Sequence, residues 1–479
     1  MKALNRKTTP ATLYPVRVIQ FGEGNFLRAF VDWIIYRMNQ DLDFNTGVAA
    51  VQPIAQGMAG MLSEQDCLYT LILKGIENGK PTRTATLIDT ISEALNPYEQ
   101  YDRYVELALD PQVRFVISNT TEAGIAFSAE DKIDGRPPVT FPGKLTKLLY
   151  ERFQKFEGAA DKGLIVIPCE LIDRNGDNLL RCVEQYTDLW GLGEQFRTWA
   201  REACIWCNTL VDRIVPGYPR EEIESITAEL GYKDNLVVEG EIFHLWVIEA
   251  PHQVQKEFPA DKAGLNVLFV PSMKPYRDRK VTLLNGPHTV MAPVTYLAGL
   301  DTVREGVEDK VVGEYVRRVM FDELLPSLDL PQAELEAFAA DVVDRFRNPY
   351  VKHYVTSITL NSLSKFKSRD LPAVKIYLDR KGALPRGLVF GLAAIATYYK
   401  GGKRGADQIK PADDAPVMDL LAKLWATGDE CKVAEGILSA DFIWGEDLSK
   451  IPGLQELLCK YLKLIAAKGM RQAVQEIDA

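Results

Sequence analysis

At 479 residues the chain is too long for one compact core, and the usual size of domains divides it into about two or three. With 47% hydrophobic and 25% charged residues it has the composition of an ordinary globular protein, and its net charge of −10 argues against a nucleic-acid binder, which would carry a basic face. An anionic substrate stays open, because a local field can oppose the net charge.

Residues 1–15 carry positive charge but no apolar stretch, so neither export nor membrane insertion is signalled and a cytoplasmic location is expected. "VRVIQF" (16–21) reads as a buried strand. It runs into "GEGNFLRAF" (22–30), two glycines spaced by one residue and then a helical period. In a dinucleotide fold the first such glycine makes the strand-to-helix turn, and the second lets the backbone approach a pyrophosphate. The third glycine of that fingerprint is replaced by Leu27, and a plain turn would account for the pair equally well. "TGVAAVQP" (46–53) reads as a second strand, which in such a fold ends in an acid for the ribose hydroxyls. Here the text is Val51, Gln52, Pro53, Ile54; Gln52 can hydrogen-bond a ribose, and the choice between NAD and NADP stays open.

"VRFVISN" (113–119) and "GLIVIPC" (163–169) complete a set of buried strands, with helical stretches such as "LNPYEQYDRYVELAL" between them. The alternation predicts an α/β fold with a mostly parallel, doubly wound sheet. Seven cysteines, an odd number scattered along the chain, suggest reduced thiols. Cys204 and Cys207 form a CxxC, but no second pair or His set completes a metal site, and no metal is expected.

Beyond about residue 280 strand signals become scarce and 3.6-residue periodicity dominates. The expected division is a Rossmann-type domain over 1–272 and a mainly helical domain over 273–479. "GLVFGLAAIATYY" (387–399) is too short to span a bilayer and reads as a buried helix. Residues 400–416, rich in Gly, Pro and charge, read as a solvated loop or an interaction surface. In "KPYRDRKVTLLNGPH" (274–288), an α-helix would set Lys280, Asn285 and His288 at about 0°, 140° and 80° around its axis, on one side. An amine to move a proton, an amide to polarise an oxygen and an imidazole to orient a substrate suit reversible carbonyl reduction. A surface lysine followed by a capping Asn-Gly-Pro is the alternative, and Pro287 suggests a helix start or a kink.

Together these stretches resemble the long-chain polyol dehydrogenase family, which contains mannitol 2-dehydrogenase and the hexuronate reductases. "GEGNFLRA" fits the family turn GxGxFxRA, and Lys280, Asn285 and His288 fit its signature KxxxxNxxH. "TTEAG" (120–124) is similar to the family's loop near the nicotinamide, and "NTLVDRIVP" (208–216) to its NxMVDRITP segment. The resemblance implies NAD(H) and no metal, with Gly22, Gly24, Asn25, Phe26, Gln52, Thr121 and Glu122 toward the cofactor. It implies Lys280 as the proton-transfer group, Asn285 as carbonyl polariser, His288 as substrate-orienting group and Asp212 as a proton relay to the lysine.

Two departures carry information. Polyol-type members have "CDN" after the fourth of these strands, where this chain has Cys169, Glu170 and Leu171, with Asn175 and Asn178 following. Mannitol-type members carry an acid where this chain has Arg277, which suggests a substrate with a carboxylate. "PCELIDRNG", "RNPYVKH" and "SLSKFK" most resemble the hexuronate reductases. The implied reaction is the interconversion of tagaturonate and altronate by hydride transfer, with a fructuronate reductase, a mannitol-type enzyme or a non-catalytic NAD-binding sensor as alternatives. The sugar-acid carboxylate is expected at Arg277, Lys365, Lys352 or His353. The implied partner is that small molecule alone, with no nucleic acid and no membrane; the oligomeric state is not readable.

Overall fold

The structure, a computed structural model, describes residues 2–77, 79–121 and 123–478. Contacts divide the chain into two compact units: Met1–Glu77 with Thr82–Met273, and Asn78–Pro81 with Lys274–Ala479.

The first unit is built on a six-stranded sheet of β1 (Val16–Phe21), β2 (Gly47–Val51), β3 (Ile91–Leu95), β4 (Phe115–Ser118), β5 (Ile165–Pro168) and β6 (Ile205–Trp206). All five ladders are parallel and the spatial order is β3-β2-β1-β4-β5-β6, the doubly wound arrangement expected from the alternating pattern. Side chains alternate across it. Val18, Phe115, Ile117, Ile165 and Ile167 enter one apolar core, whereas Ile19, Phe21, Val116 and Val166 enter another on the opposite face. Burial on both faces explains why these strands read as unbroken apolar runs. The order reverses between β1 and β4, so the ends of those two strands flank the crevice where such folds bind ligands.

The sequence reading left several strands unassigned. β3 is one, and a three-stranded sheet of Val238–Glu241, Tyr69–Glu77 and Lys80–Ile88 is another. A third sheet joins β7 (Asn208–Asp212), β8 (Leu245–Glu249) and β9 (Val267–Val270), antiparallel and then parallel.

The second unit is mainly helical. Its elements include α-helical Lys274–Lys280, Gly286–Leu297, Gln332–Phe346, Ser362–Arg369, Leu371–Lys381 and Arg386–Tyr399. Two expectations are corrected here. The 400–416 stretch is not wholly a loop, because Gly402–Arg404 and Asp407–Ile409 pair as an antiparallel hairpin. Nor are all seven thiols free: Cys431 and Cys459 lie 4.7 Å apart at Cα and are joined as a disulfide, while Cys204 and Cys207 are separate buried thiols.

The first glycine of the turn after β1 is required by the fold itself. Gly22 has φ +119°, and a Cβ there would stand 2.9 Å from the Asn119 carbonyl oxygen beyond β4. Gly24 has φ −71° and ψ 176°, ordinary for any residue, and a Cβ would meet nothing within 4 Å. Gly22→Ala should therefore destabilise the protein by about 1–3 kcal/mol, and Gly24→Ala should stay within about 0.5 kcal/mol of the parent. Urea unfolding of the two variants, followed by circular dichroism, measures the contrast.

Candidate active site

The glycine turn is held from beneath by a buried arginine. Arg28 donates from Nε to the Glu23 carbonyl (3.2 Å), from Nη1 to the Leu236 carbonyl (2.6 Å) and from Nη2 to Asn25 Oδ1 (2.8 Å). Its guanidinium also lies 5.1 Å from the Tyr69 ring centre, and the Tyr69 hydroxyl donates to the Arg28 carbonyl (2.7 Å). The turn opens helix α1 (Asn25–Ala29), which breaks at Phe30 before α2 (Val31–Leu42) begins. Gly24 and Asn25 are exposed, and Phe26 is half-buried and stacked on Phe30 at 5.0 Å.

Gln52 has another use than the one expected. Its amide donates to the carbonyls of Ile54 (2.9 Å) and Ala55 (3.1 Å) and accepts from the Ala59 N–H (3.3 Å), so it shapes the loop after β2 from inside. Beyond β4, Thr121 is exposed with φ +91°, a strained conformation for a β-branched residue. Glu122 lies outside the described residues. The loop is anchored by Glu170, whose carboxylate accepts from the Thr120 N–H and hydroxyl and from the Ser118 hydroxyl, each at 3.0 Å.

Glu170 thus occupies the "CDN" position as a buried anchor, and Leu171 beside it is 59% exposed. The two asparagines downstream do not supply a free amide. Asn175 is buried and donates to the Pro168 and Glu170 carbonyls and to Thr209, while accepting from the N–H groups of Gly176 and Thr209. Asn178 is engaged with Asp173 and Arg181. Asp212 is buried at the end of β7. Next to it Arg213 donates to the carbonyls of Ala29, Ile242 and Phe243 and lies 4.2 Å from the Trp33 ring centre.

In the second unit, α3 (Lys274–Lys280) and α4 (Gly286–Leu297) are joined without a break by a π-helical turn, Val281–Asn285. The Gly286 N–H bonds the Val281 carbonyl, an i→i+5 step. The sequence explains the widening. Pro287 has no N–H to give, and its ring would collide with the carbonyl four residues back in a regular α-helix. The expected α-helical angles are accordingly corrected: the widened turn brings Asn285 closer to Lys280 around the axis, and His288 follows three residues on along the same face. Lys280, Asn285 and His288 are half-buried, whereas Leu283, Leu284, Gly286, Pro287 and Thr289 are buried. π turns of this kind recur at functional sites.

Gly286 allows the junction to close on Asp370, since a Cβ there would lie 2.9 Å from Asp370 Oδ1. Both Asp370 oxygens are buried without a hydrogen-bond partner, and burial pushes this carboxyl well above its ordinary range. His288 packs on Phe346 (ring centres 4.3 Å apart) and His353 (5.2 Å). Its Nε2 is buried without a partner, and burial, then the charges of His353, Arg345 and Arg369, hold it well below the usual imidazole range. Arg369 is a residue the sequence reading missed. It ends the helix Ser362–Arg369 one turn after Lys365, and that i, i+4 spacing was the available signal. Arg369 Nη1 donates to the Thr289 hydroxyl (3.2 Å), which donates to the Asn285 carbonyl (3.0 Å). Lys365 donates to the Ile358 carbonyl (2.8 Å), and burial, then the charge of Arg369, lowers its pKa.

Arg277 keeps its side chain 37% exposed, with Nε 3.9 Å from Asp278. Arg279 is spent on structure, paired with Glu334 at 2.5 Å and 4.3 Å from the Phe338 ring centre. Lys352 is exposed, 5.1 Å from the Tyr354 ring centre. Among the described residues no group of His, Cys, Asp and Glu could hold a metal, and no helix is long and apolar enough to cross a membrane.

Residues 16–262 match the mannitol dehydrogenase Rossmann domain, and residues 272–466 the mannitol dehydrogenase C-terminal domain. The chain is 59% identical to the altronate oxidoreductase of Phocaeicola vulgatus over 478 residues, all of both chains. Among solved structures it is similar to a D-sorbitol dehydrogenase in substrate-free form, with a TM-score of 0.82 and 21% identity over 99% of this chain and 100% of that one. It is also similar to the Pseudomonas fluorescens mannitol 2-dehydrogenase in ternary complex with NAD and D-mannitol, with a TM-score of 0.66 and 21% identity over 100% and 99% of the two chains.

The depressed imidazoles are open to direct measurement. Burial, then Arg213, takes His244 down to about 3, and His288 lies well below 6.5. The Cε1 proton resonance of His244 should stay flat from about pH 8 to about pH 5 by NMR, and that of His288 should show no midpoint near 6.5. Because their folded pKa values are depressed, the stability they contribute is full above about pH 6.5 and declines as pH falls below it, where only the unfolded chain takes up the protons. A mid-range titration of His288 would contradict its neutral state.

Proposed function

The chain belongs to the mannitol dehydrogenase family, and within it we propose an NAD(H)-dependent oxidoreductase that interconverts D-tagaturonate and D-altronate. The observation that carries the substrate charge is the basic cluster around His288, where Arg345 and Arg369 act on one imidazole and Lys365 lies a turn from Arg369. Such a field in a protein of net charge −10 suits a carboxylate, and a guanidinium fork matches one in geometry.

The turn fits a dinucleotide. Gly24 is glycine although neither its backbone nor its surroundings require it, as expected where a ligand's phosphates approach the chain. NAD(H), when bound, supplies or receives the hydride. In the reduction Lys280 gives its ammonium proton to the oxygen of the ketone, and in the oxidation it takes the hydroxyl proton back. The Asn285 amide donates to that oxygen and stabilises the charge that gathers on it. His288, neutral, offers its unpartnered Nε2 to a substrate hydroxyl. Asp212, by the resemblance of its segment to the family's NxMVDRITP, takes the role of a proton relay. Arg277, Lys365 and Arg369 hold the carboxylate, with Lys352 and His353 as further polar contacts. Gly22, Asn25, Phe26, Gln52, Thr121 and Glu122 complete the cofactor side, Gln52 by shaping its loop.

A panel of tagaturonate, fructuronate and fructose against NADH and NADPH tests the reading; turnover with none of them would leave only a nucleotide-binding protein. Lys280→Ala should keep NADH affinity and lose kcat by roughly 10²- to 10⁴-fold, the usual worth of a positioned acid or base. Arg277→Gln and Arg369→Gln should each lower kcat/KM for tagaturonate by about 10- to 150-fold, corresponding to about 1.5–3 kcal/mol for a hydrogen bond to a charged group. Residual turnover of fructose should change much less. Equal losses for the charged and the uncharged ketose would assign the arginine to folding or to the lysine.

A further inference from the structure

The second strand ends without an acid, yet a carboxylate is found at its end. Glu23, the residue between the two glycines of the turn, is buried, and its Oε1 accepts from the Met58 N–H at 2.9 Å. Met58 closes the loop that leaves β2 and folds around Gln52. At Gly57 a Cβ would stand 2.2 Å from Glu23 Oε1 and 2.6 Å from Gln52 Cδ, so the glycine is what lets the acid reach over. Among the described residues no basic side chain forms an ion pair with Glu23; the nearest guanidinium, Arg28, binds its backbone carbonyl instead.

An acid held at the junction of the glycine turn and the end of β2 stands between the two elements that flank the adenosine ribose in a dinucleotide fold. We propose that Glu23 does the work of the missing β2 acid, accepting a hydrogen bond from the ribose 2′-hydroxyl of NAD(H) and repelling the 2′-phosphate of NADP(H). The selecting charge is thus delivered from the first strand's turn, over Gly57, to the end of the second strand. The inference rests on the NAD(H)-dependent reading above and adds the residue that sets its cofactor preference.

The test is equilibrium binding of NADH and of NADPH to the apoprotein, followed by nucleotide fluorescence, for the parent, Glu23→Gln and Glu23→Ser. Glutamine keeps the size and the acceptor for the Met58 N–H but removes the charge. The parent should prefer NADH, and Glu23→Gln should shrink that preference by about tenfold or more, the worth of a hydrogen bond to a charged group together with relief of repulsion. A thermal midpoint close to the parent's accompanies that result. A parent that binds NADPH as well as NADH, an unchanged ratio, or equal weakening of both nucleotides would overturn the proposal, the last by showing Glu23 to be only a pin for the loop. If Glu23→Gln fails to fold, the ratio measured for Glu23→Ser decides by the same criteria. A parent that binds neither nucleotide would overturn the NAD(H)-dependent reading itself.

Discussion

Pro287 cannot donate a hydrogen bond, and the placement of reactive groups in the second unit follows from that. A regular α-helix from 274 to 297 would hold Asn285 about 140° around the axis from Lys280, at the far edge of the face they share. Widening one turn to the i→i+5 pattern narrows that angle, and the helix continues as α4 with His288 on the same face. The widened turn is then tied to its surroundings by two features. Thr289 takes up the Asn285 carbonyl and itself receives Arg369, and Gly286 lets Asp370 close on the junction. The basic cluster and the π turn are therefore one construction, in which an arginine that acts on the histidine also fixes, through Thr289, the backbone of the asparagine.

The doubly wound sheet was legible because its strands are buried on both faces and stand out as short apolar runs between helical stretches. Ile91–Leu95 was not, since "ISEAL" carries two polar residues and no such run. The spacing of Lys280, Asn285 and His288 was visible in the sequence, but the reason for it was hidden, because helical periodicity assumes 3.6 residues per turn and a π turn departs from that at one place only. Gln52 reads as a ligand-facing amide until its loop is folded, whereupon three backbone groups consume it. Arg369 escaped notice for the opposite reason: a lone arginine near a helix end has no pattern of its own, and only packing brings it to Thr289. The Cys431–Cys459 pairing joins helices through a sequence separation of 28, which spacing alone does not foretell.

Arginine divides its labour here in a way that motif reading obscures. Arg28 and Arg213 belong to two segments that fit family motifs, "GEGNFLRA" and "NTLVDRIVP", and both act as clamps on buried carbonyls. Burial takes Arg213 down to about 9, a cost offset by three carbonyl acceptors and the Trp33 face. Arg369 differs: among the described residues its guanidinium gives one hydrogen bond, to the Thr289 hydroxyl, and burial pushes the neighbouring acid, Asp370, toward its neutral form. A half-buried guanidinium beside a carboxyl that burial pushes toward its neutral form favours a local positive potential, which is how a protein of net charge −10 can present a site for an anion.

Three glycines near the first strand's turn differ in what demands them, and the difference separates fold from ligand. Gly22 answers to its own backbone, which sits at φ +119° with a carbonyl in the path of any side chain. Gly57 answers to Glu23, whose carboxylate would otherwise have nowhere to lie. Gly24 answers to nothing in the chain, since its dihedrals suit any residue and the space beside it is open. A glycine in the middle of ordered backbone carries an entropic cost relative to alanine, so one that the fold does not use has to be explained by something the fold receives. At the mouth of a crevice where strand order reverses, backbone unprotected by a side chain is what a pyrophosphate requires.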